Sequence, residues 1–204
     1  KPRENMTLNR RRFLISTIST GMVACAKKSN WSDEPQLTDD EPCEPTVSNI
    51  EGPFYITDAP FRNDFRIWDD EGIPISISGK VLTQDCTQAF SQAIIEFWQS
   101  DPSGNYDNDS TEKRYRGTIQ VAEDGKYSLS SYLPGLYLNG TKYRPHHIHV
   151  KIWDSLGNEL LTTQLYFKGD PYLVGDDFFD ESLVMPFEGS LTTSITATDI
   201  NFVV

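Results

Sequence analysis

The sequence predicts an all-β protein, a β-sandwich of mostly antiparallel strands joined by long loops, and three observations carry the fold. Short apolar or alternating segments recur from about residue 75 to the last residue. They are separated by "DPSGN", "EDGK", "LPG" and "SLGN", whose Gly, Pro, Asn and Asp suit hairpins and loops. No stretch keeps a helical period over a useful length, and no internal repeat suggests a propeller or solenoid.

Each expected strand has its own reason. "ISISGKVL" (75–82) alternates apolar and polar residues, and "KYSLSSY" (126–132) does the same, as half-buried strands require. "AIIEFWQ" (93–99) and "LLTTQLYF" (160–167) are richer in branched and aromatic side chains. "GTIQV" (117–121), "HIHVKIW" (147–153) and "TSITATDINFVV" (193–204) complete the set, the last as one C-terminal strand. The chain has 204 residues, of which 37% are apolar and 12% aromatic, enough for one ordinary core.

Charge narrows the partners. The formal net charge is −12, and runs such as "TDDEPCE" and "GDDFFDE" offer no basic face to phosphate. Nucleic acid is therefore excluded, and small molecules or neutral surfaces are expected.

The first 24 residues read differently. "NRRRFL" resembles a twin-arginine export signal, with Met6 as its expected start, and "MVAC" resembles a lipobox ending at Cys25. The apolar run is too short to span a bilayer. A lipid on Cys25 is expected to attach the protein to a bacterial membrane on an extracytoplasmic face. Residues 25–47, polar and proline-bearing, read as a tether, and 48–204 as the folded domain. Cleavage before Cys25 removes Lys1, Arg3, Arg10, Arg11, Arg12 and Glu4, so the mature part is more acidic. In an oxidising compartment Cys43 and Cys86 are allowed to pair, and two free buried thiols are the alternative.

The chain has three histidines, all inside "YRPHHIHVKIW". On a strand, Ile148, Val150 and Ile152 face one way, while His147, His149, Lys151 and Trp153 face the other. His147 and His149 can therefore converge on one metal. His146 points away from His147 unless the strand begins between them. An HxH pair alone is only half a site.

The flanking blocks supply the rest. "EGPFY" (51–55), "IIEFWQSDPSGNYDN" (94–108), "GKYSLSSYLPGLY" (125–137), "YRPHHIHVKI" (143–152) and "LLTTQLYFKGDP" (160–171) together resemble the intradiol ring-cleavage dioxygenases. That resemblance implies a non-haem Fe(III) centre held by Tyr106, Tyr137, His147 and His149. It also implies a catechol substrate cleaved by O2 between its two hydroxylated carbons, giving a cis,cis-muconate. Tyr137 would serve as a base for substrate deprotonation. Arg144 would stabilise negative charge developing on the ring, and Gln164 would stand near O2. Tyr55 is assigned to the pocket mouth, a segment that a turn at Gly52 and Pro53 would also explain. The ligand chemistry is coherent: a hard trivalent cation favours anionic oxygen and can hold a phenolate whose unperturbed pKa is ~10, while imidazoles add coordination without charge. A reading from another class is a non-catalytic β-sandwich surface lipoprotein that binds a polymer or a different metal. Metal analysis separates the two.

Overall fold

A computed structural model describes residues 43–204. The expected signal segment 1–24, Cys25 and the expected tether as far as residue 42 lie outside the described residues. Two five-stranded sheets form the sandwich. The first runs β3 (Arg116–Gln120), β2 (Ile94–Trp98), β7 (His147–Trp153), β8 (Glu159–Phe167) and β9 (Val184–Met185), antiparallel except for the last pair. The second is built on β1 (Pro74–Leu82), which pairs antiparallel with β4 (Lys126–Tyr132) along one edge. Along its other edge β1 pairs in parallel with β11 (Ile195–Ala197) and then β12 (Phe202–Val203), and β10 (Glu188–Gly189) lies outside β11. A short hairpin, β5 (Leu138–Asn139) and β6 (Lys142–Tyr143), projects before β7. Among the described residues the only helical element is a 3-10 turn at Glu181–Leu183.

Alternation places the core. Ile75, Ile77, Ile95, Phe97, Leu129, Ile148, Val150 and Ile152 are at most 1% exposed and belong to one apolar cluster. Full burial of each such side chain contributes about 1.5–3 kcal/mol. The opposite face of the first sheet is covered as well, because His147, His149 and Lys151 are also buried. That cover is the segment after Cys43 together with the loops after β2, β4 and β8.

Two sequence expectations are corrected. The C-terminal strand expected over 193–204 is two strands, because the chain between them crosses against β1. A Cβ on Gly79 would lie 1.8 Å from the Ile200 carbonyl oxygen, which accepts from the buried Tyr127 hydroxyl at 2.6 Å. Asp199, with φ of 58°, makes the break. Residues 43–47, expected to end the tether, are bound to the sandwich. The Thr46 N–H donates to the Val203 carbonyl at 3.0 Å, and the Thr163 hydroxyl donates to the Val47 carbonyl at 2.7 Å. Cys43 is disulfide-bonded to Cys86, Cα atoms 5.8 Å apart, which resolves the cysteine alternatives in favour of the pair.

Candidate active site

Strand register builds the histidine half. His149 faces Trp98 on β2 and Gln164 on β8, so one rung crosses three strands. The Trp98 indole stacks on the His149 ring at 4.8 Å with planes 5° apart. His147 begins the strand, and its Nδ1 lies 2.6 Å from the Pro145 carbonyl. That contact assigns the proton to Nδ1 and leaves the Nε2 lone pair free. Nε2 lies 3.3 Å from the Tyr137 hydroxyl. Because the strand starts at His147, His146 belongs to the preceding link, with its Nδ1 near the Pro134 carbonyl and its N–H donating to Asp170.

Loops build the tyrosine half. After β2, Asp101 accepts from the Ser103 and Asn105 N–H groups, both at 2.9 Å, and the turn it caps delivers Tyr106. The loop after β4 delivers Tyr137. The two loops touch backbone to backbone, with the Gly135 N–H donating to the Asp101 carbonyl at 2.8 Å. A Cβ on Gly104, whose φ is +89°, would lie 2.2 Å from the Leu136 carbonyl oxygen, and one on Gly135 would lie 2.2 Å from the Gly104 nitrogen. Glycine is thus required where the two tyrosine-bearing loops meet.

The four aromatic side chains close on one another. Ring centroids are 5.5 Å apart for Tyr106 and Tyr137, 5.6 Å for Tyr137 and His147, 4.9 Å for His147 and His149, and 6.4 Å for Tyr106 and His149. Burial, then Arg144, lowers the His147 pKa to about 3, and burial, then His147, holds His149 well below its ordinary value. Both imidazoles are therefore neutral lone-pair donors. Burial, then Tyr137, pushes the Tyr106 phenol well up, and burial raises Tyr137 against the opposing charge of Arg144. The Tyr106 hydroxyl and His149 Nδ1 are buried without hydrogen-bond partners. Such orphaned polar atoms are costly unless something binds them. Among the described residues no group of three or more His, Cys, Asp or Glu side chains converges, so a metal here would need the phenols. Two phenols and two neutral imidazoles fit a hard trivalent cation.

Arg144 and Gln164 adjoin this square. Gln164 is fully buried rather than solvent-facing, accepting from Arg144 at 2.8 Å and donating to the Ile50 carbonyl at 3.0 Å. Arg144 pairs at 3.0 Å with Asp176, whose side chain is 3% exposed, and lies over the Phe178 ring at 4.8 Å. Tyr55 is placed one layer back, 5.0 Å from Trp98 and under the Lys151 ammonium, while its neighbour Phe54 stacks on Tyr106 at 4.3 Å. Phe54 rather than Tyr55 touches the tyrosine pair.

Sequence reasoning missed Trp98, Phe54, Arg116, Tyr166 and Asp176. Arg116 is fully buried, donates to the Asp107 carbonyl at 3.1 Å and faces the Tyr106 ring at 5.9 Å. The Tyr166 hydroxyl donates to the Phe178 carbonyl at 2.9 Å. For Trp98 a signal existed, since it shares the site face of its strand. For Asp176 the acidic run conceals a carboxylate whose side chain is 3% exposed beside the exposed Asp177.

With this geometry in view, the relatives are consistent. A family model described as "Dioxygenase" matches residues 50–202. Chlorocatechol 1,2-dioxygenase of Cupriavidus pinatubonensis is 30% identical over 182 residues, covering 79% of this chain and 70% of the relative. The dioxygenase domain of a dioxygenase and carbohydrate-binding protein fusion from the cellulolytic bacterium Streptomyces sp. SirexAA-E superposes with a TM-score of 0.70. It is 34% identical and covers 79% of this chain and 98% of that domain. 3-Chlorocatechol 1,2-dioxygenase of Rhodococcus opacus, at 23% identity, shares the fold with a TM-score of 0.68 over 78% of this chain and 72% of its own. The chain belongs to the intradiol ring-cleavage dioxygenase family.

Proposed function

We propose that this protein is an Fe(III) intradiol dioxygenase that opens a catechol-type ring between its two hydroxylated carbons, consuming O2 and yielding a cis,cis-muconate-type product. The observation that carries the reading is the closed square of Tyr106, Tyr137, His147 and His149, with the Tyr106 hydroxyl buried and unpartnered. These four residues would hold the iron. When bound, ferric iron supplies the charge that keeps the phenols ionised and a route for electron density from substrate to O2.

The chain's own groups account for the rest. Tyr137 Oη, beside a neutral His147, is the base that takes a proton from the entering catechol. Arg144 supplies a fixed cation in a water-poor site as negative charge builds on the ring. Gln164, held at both ends of its amide, keeps Arg144 and the Ile50 backbone in fixed relation. Names of relatives that act on catechols and chlorocatechols support a small catechol as substrate.

The direct test is to load the domain with ferric iron and record its visible spectrum and its oxygen uptake against a panel of catechols. Phenolate ligation should give a red to burgundy protein that consumes O2. A colourless iron-loaded protein, or binding of zinc without colour, would favour the non-catalytic binding protein instead.

We further propose that the protein is lipid-anchored through Cys25 on an extracytoplasmic face. The signal-like first 24 residues and the disulfide, which suits an oxidising compartment, support this. Cys25→Ser should release the protein from membranes in cell fractionation; full retention would reject the anchor.

A further inference from the structure

The run "GDDFFDE" contains two adjacent acids with opposite fates. The Asp177 side chain is 73% exposed and pairs with Lys142 at the surface. The Asp176 side chain is 3% exposed and receives Arg144 Nε at 3.2 Å and a terminal nitrogen at 3.0 Å, while that guanidinium is itself 5% exposed. The same arginine donates to Gln164 at 2.8 Å and to the Tyr166 hydroxyl at 3.4 Å, with the Phe178 ring beneath it. A guanidinium is a planar fork, so partners at its edge and on its face fix both position and plane. Asp170, from the same loop, accepts from the His146 N–H at 2.6 Å. The loop after β8 therefore grips the link before β7 at two points, and one of them is the arginine.

We propose that Asp176 is a positioning residue for Arg144. Its carboxylate, backed by Phe178, aims the guanidinium at the substrate side of the tyrosine and histidine square and keeps it from rotating away. The proposal rests on the catalytic reading above. Without Asp176 the guanidinium keeps its charge and loses the partner that sets its direction. Substrate would still enter, and the transition state would lose its aimed cation.

Asp176→Asn preserves side-chain shape and removes the charge, and Asp177→Asn is the neighbouring control. For the iron-loaded enzyme, Asp176→Asn should lower kcat on the order of 10- to 100-fold with KM and the visible band little changed. Asp177→Asn should leave both parameters alone. In a double-variant cycle, Asp176→Asn should cost nothing further once Arg144 is Gln, because its effect passes through that side chain. In the metal-free protein, the Arg144 Nε–H resonance should be slow to exchange in wild type and fast in Asp176→Asn. Unchanged kcat in Asp176→Asn, a loss that adds in full to that of Arg144→Gln, or loss of iron and colour would overturn the proposal. So would an Nε–H that stays protected in the variant. The metal-free measurement does not depend on catalysis, so a wild type without oxygenase activity would defeat the functional reading while this test still stood.

Discussion

The two halves of the site are held by different physics. His147 and His149 sit on β7, between β2 and β8, where ladder hydrogen bonds fix the register and a Trp98, His149 and Gln164 rung crosses the sheet. Tyr106 and Tyr137 hang on two loops that brace each other through Gly104 and Gly135. In the first half a side chain's direction follows from strand alternation. In the second it follows from whether two backbones can touch. The difference teaches that a period-two reading can find half of a mixed site, and that backbone contact decides the other half.

The sharpest way to break this comparison is to delete the strand half. Replacing both His147 and His149 with Ala should abolish ferric iron binding, because two phenols alone cannot complete the coordination. Metal analysis should find iron near background, and the visible band should be absent. Retention of iron with colour would mean that the tyrosine loops hold the metal without the strand, and the division into two halves would fail.

A smaller effect is expected on the loop side. Gly104→Ala puts a Cβ 2.2 Å from the Leu136 carbonyl oxygen at a φ of +89°, which should destabilise the fold by about 2–4 kcal/mol through combined strain and steric conflict. Thermal unfolding should report that loss. Iron should still bind through the untouched strand, but with a shifted charge-transfer band, since only the phenols have moved. A variant with wild-type melting temperature and spectrum would show that the loops do not depend on their backbone contact.

What the sequence disclosed follows the same division. Alternation correctly separated Ile148, Val150 and Ile152 from His147 and His149, because one strand's geometry is enough to do so. The tyrosines came only from resemblance, since nothing local to "GNY" or "PGLY" states that the two loops meet. Adjacent residues of "EGPFY" meet different partners, Phe54 stacking on Tyr106 and Tyr55 tilting against Trp98, a division that depends on how the covering segment lies. Asp176 lies in an acidic run, and the burial of its side chain beside the exposed Asp177 is a tertiary fact that no local pattern states. The split of the C-terminal strand depends on Gly79 meeting a carbonyl about 120 residues away, beyond the reach of any local pattern.

The smallest expected effect sharpens the account of the histidine face itself. Glu96 lies opposite Lys151, two pairs along from Trp98 and His149 on the same face, and is 4% exposed with Oε1 unpartnered. Burial pushes its carboxyl up to about 7, against the opposing charges of Arg116 and Lys151. In the unfolded chain the group titrates near its ordinary 4.5. As pH rises from there towards 7, the unfolded chain releases a proton that the folded protein still holds, so unfolding becomes easier, and above 7 the penalty is complete. Glu96→Gln keeps the shape and removes this titration. The variant should match wild type near pH 4.5 and gain on the order of 1–2 kcal/mol by pH 8, with the iron band unchanged. Denaturant unfolding at the two pH values measures it. A gain of equal size at both would assign the benefit to packing rather than charge, and a loss at pH 8 would mean that the ionised carboxylate is held by Lys151 and stabilises the face that carries the histidines.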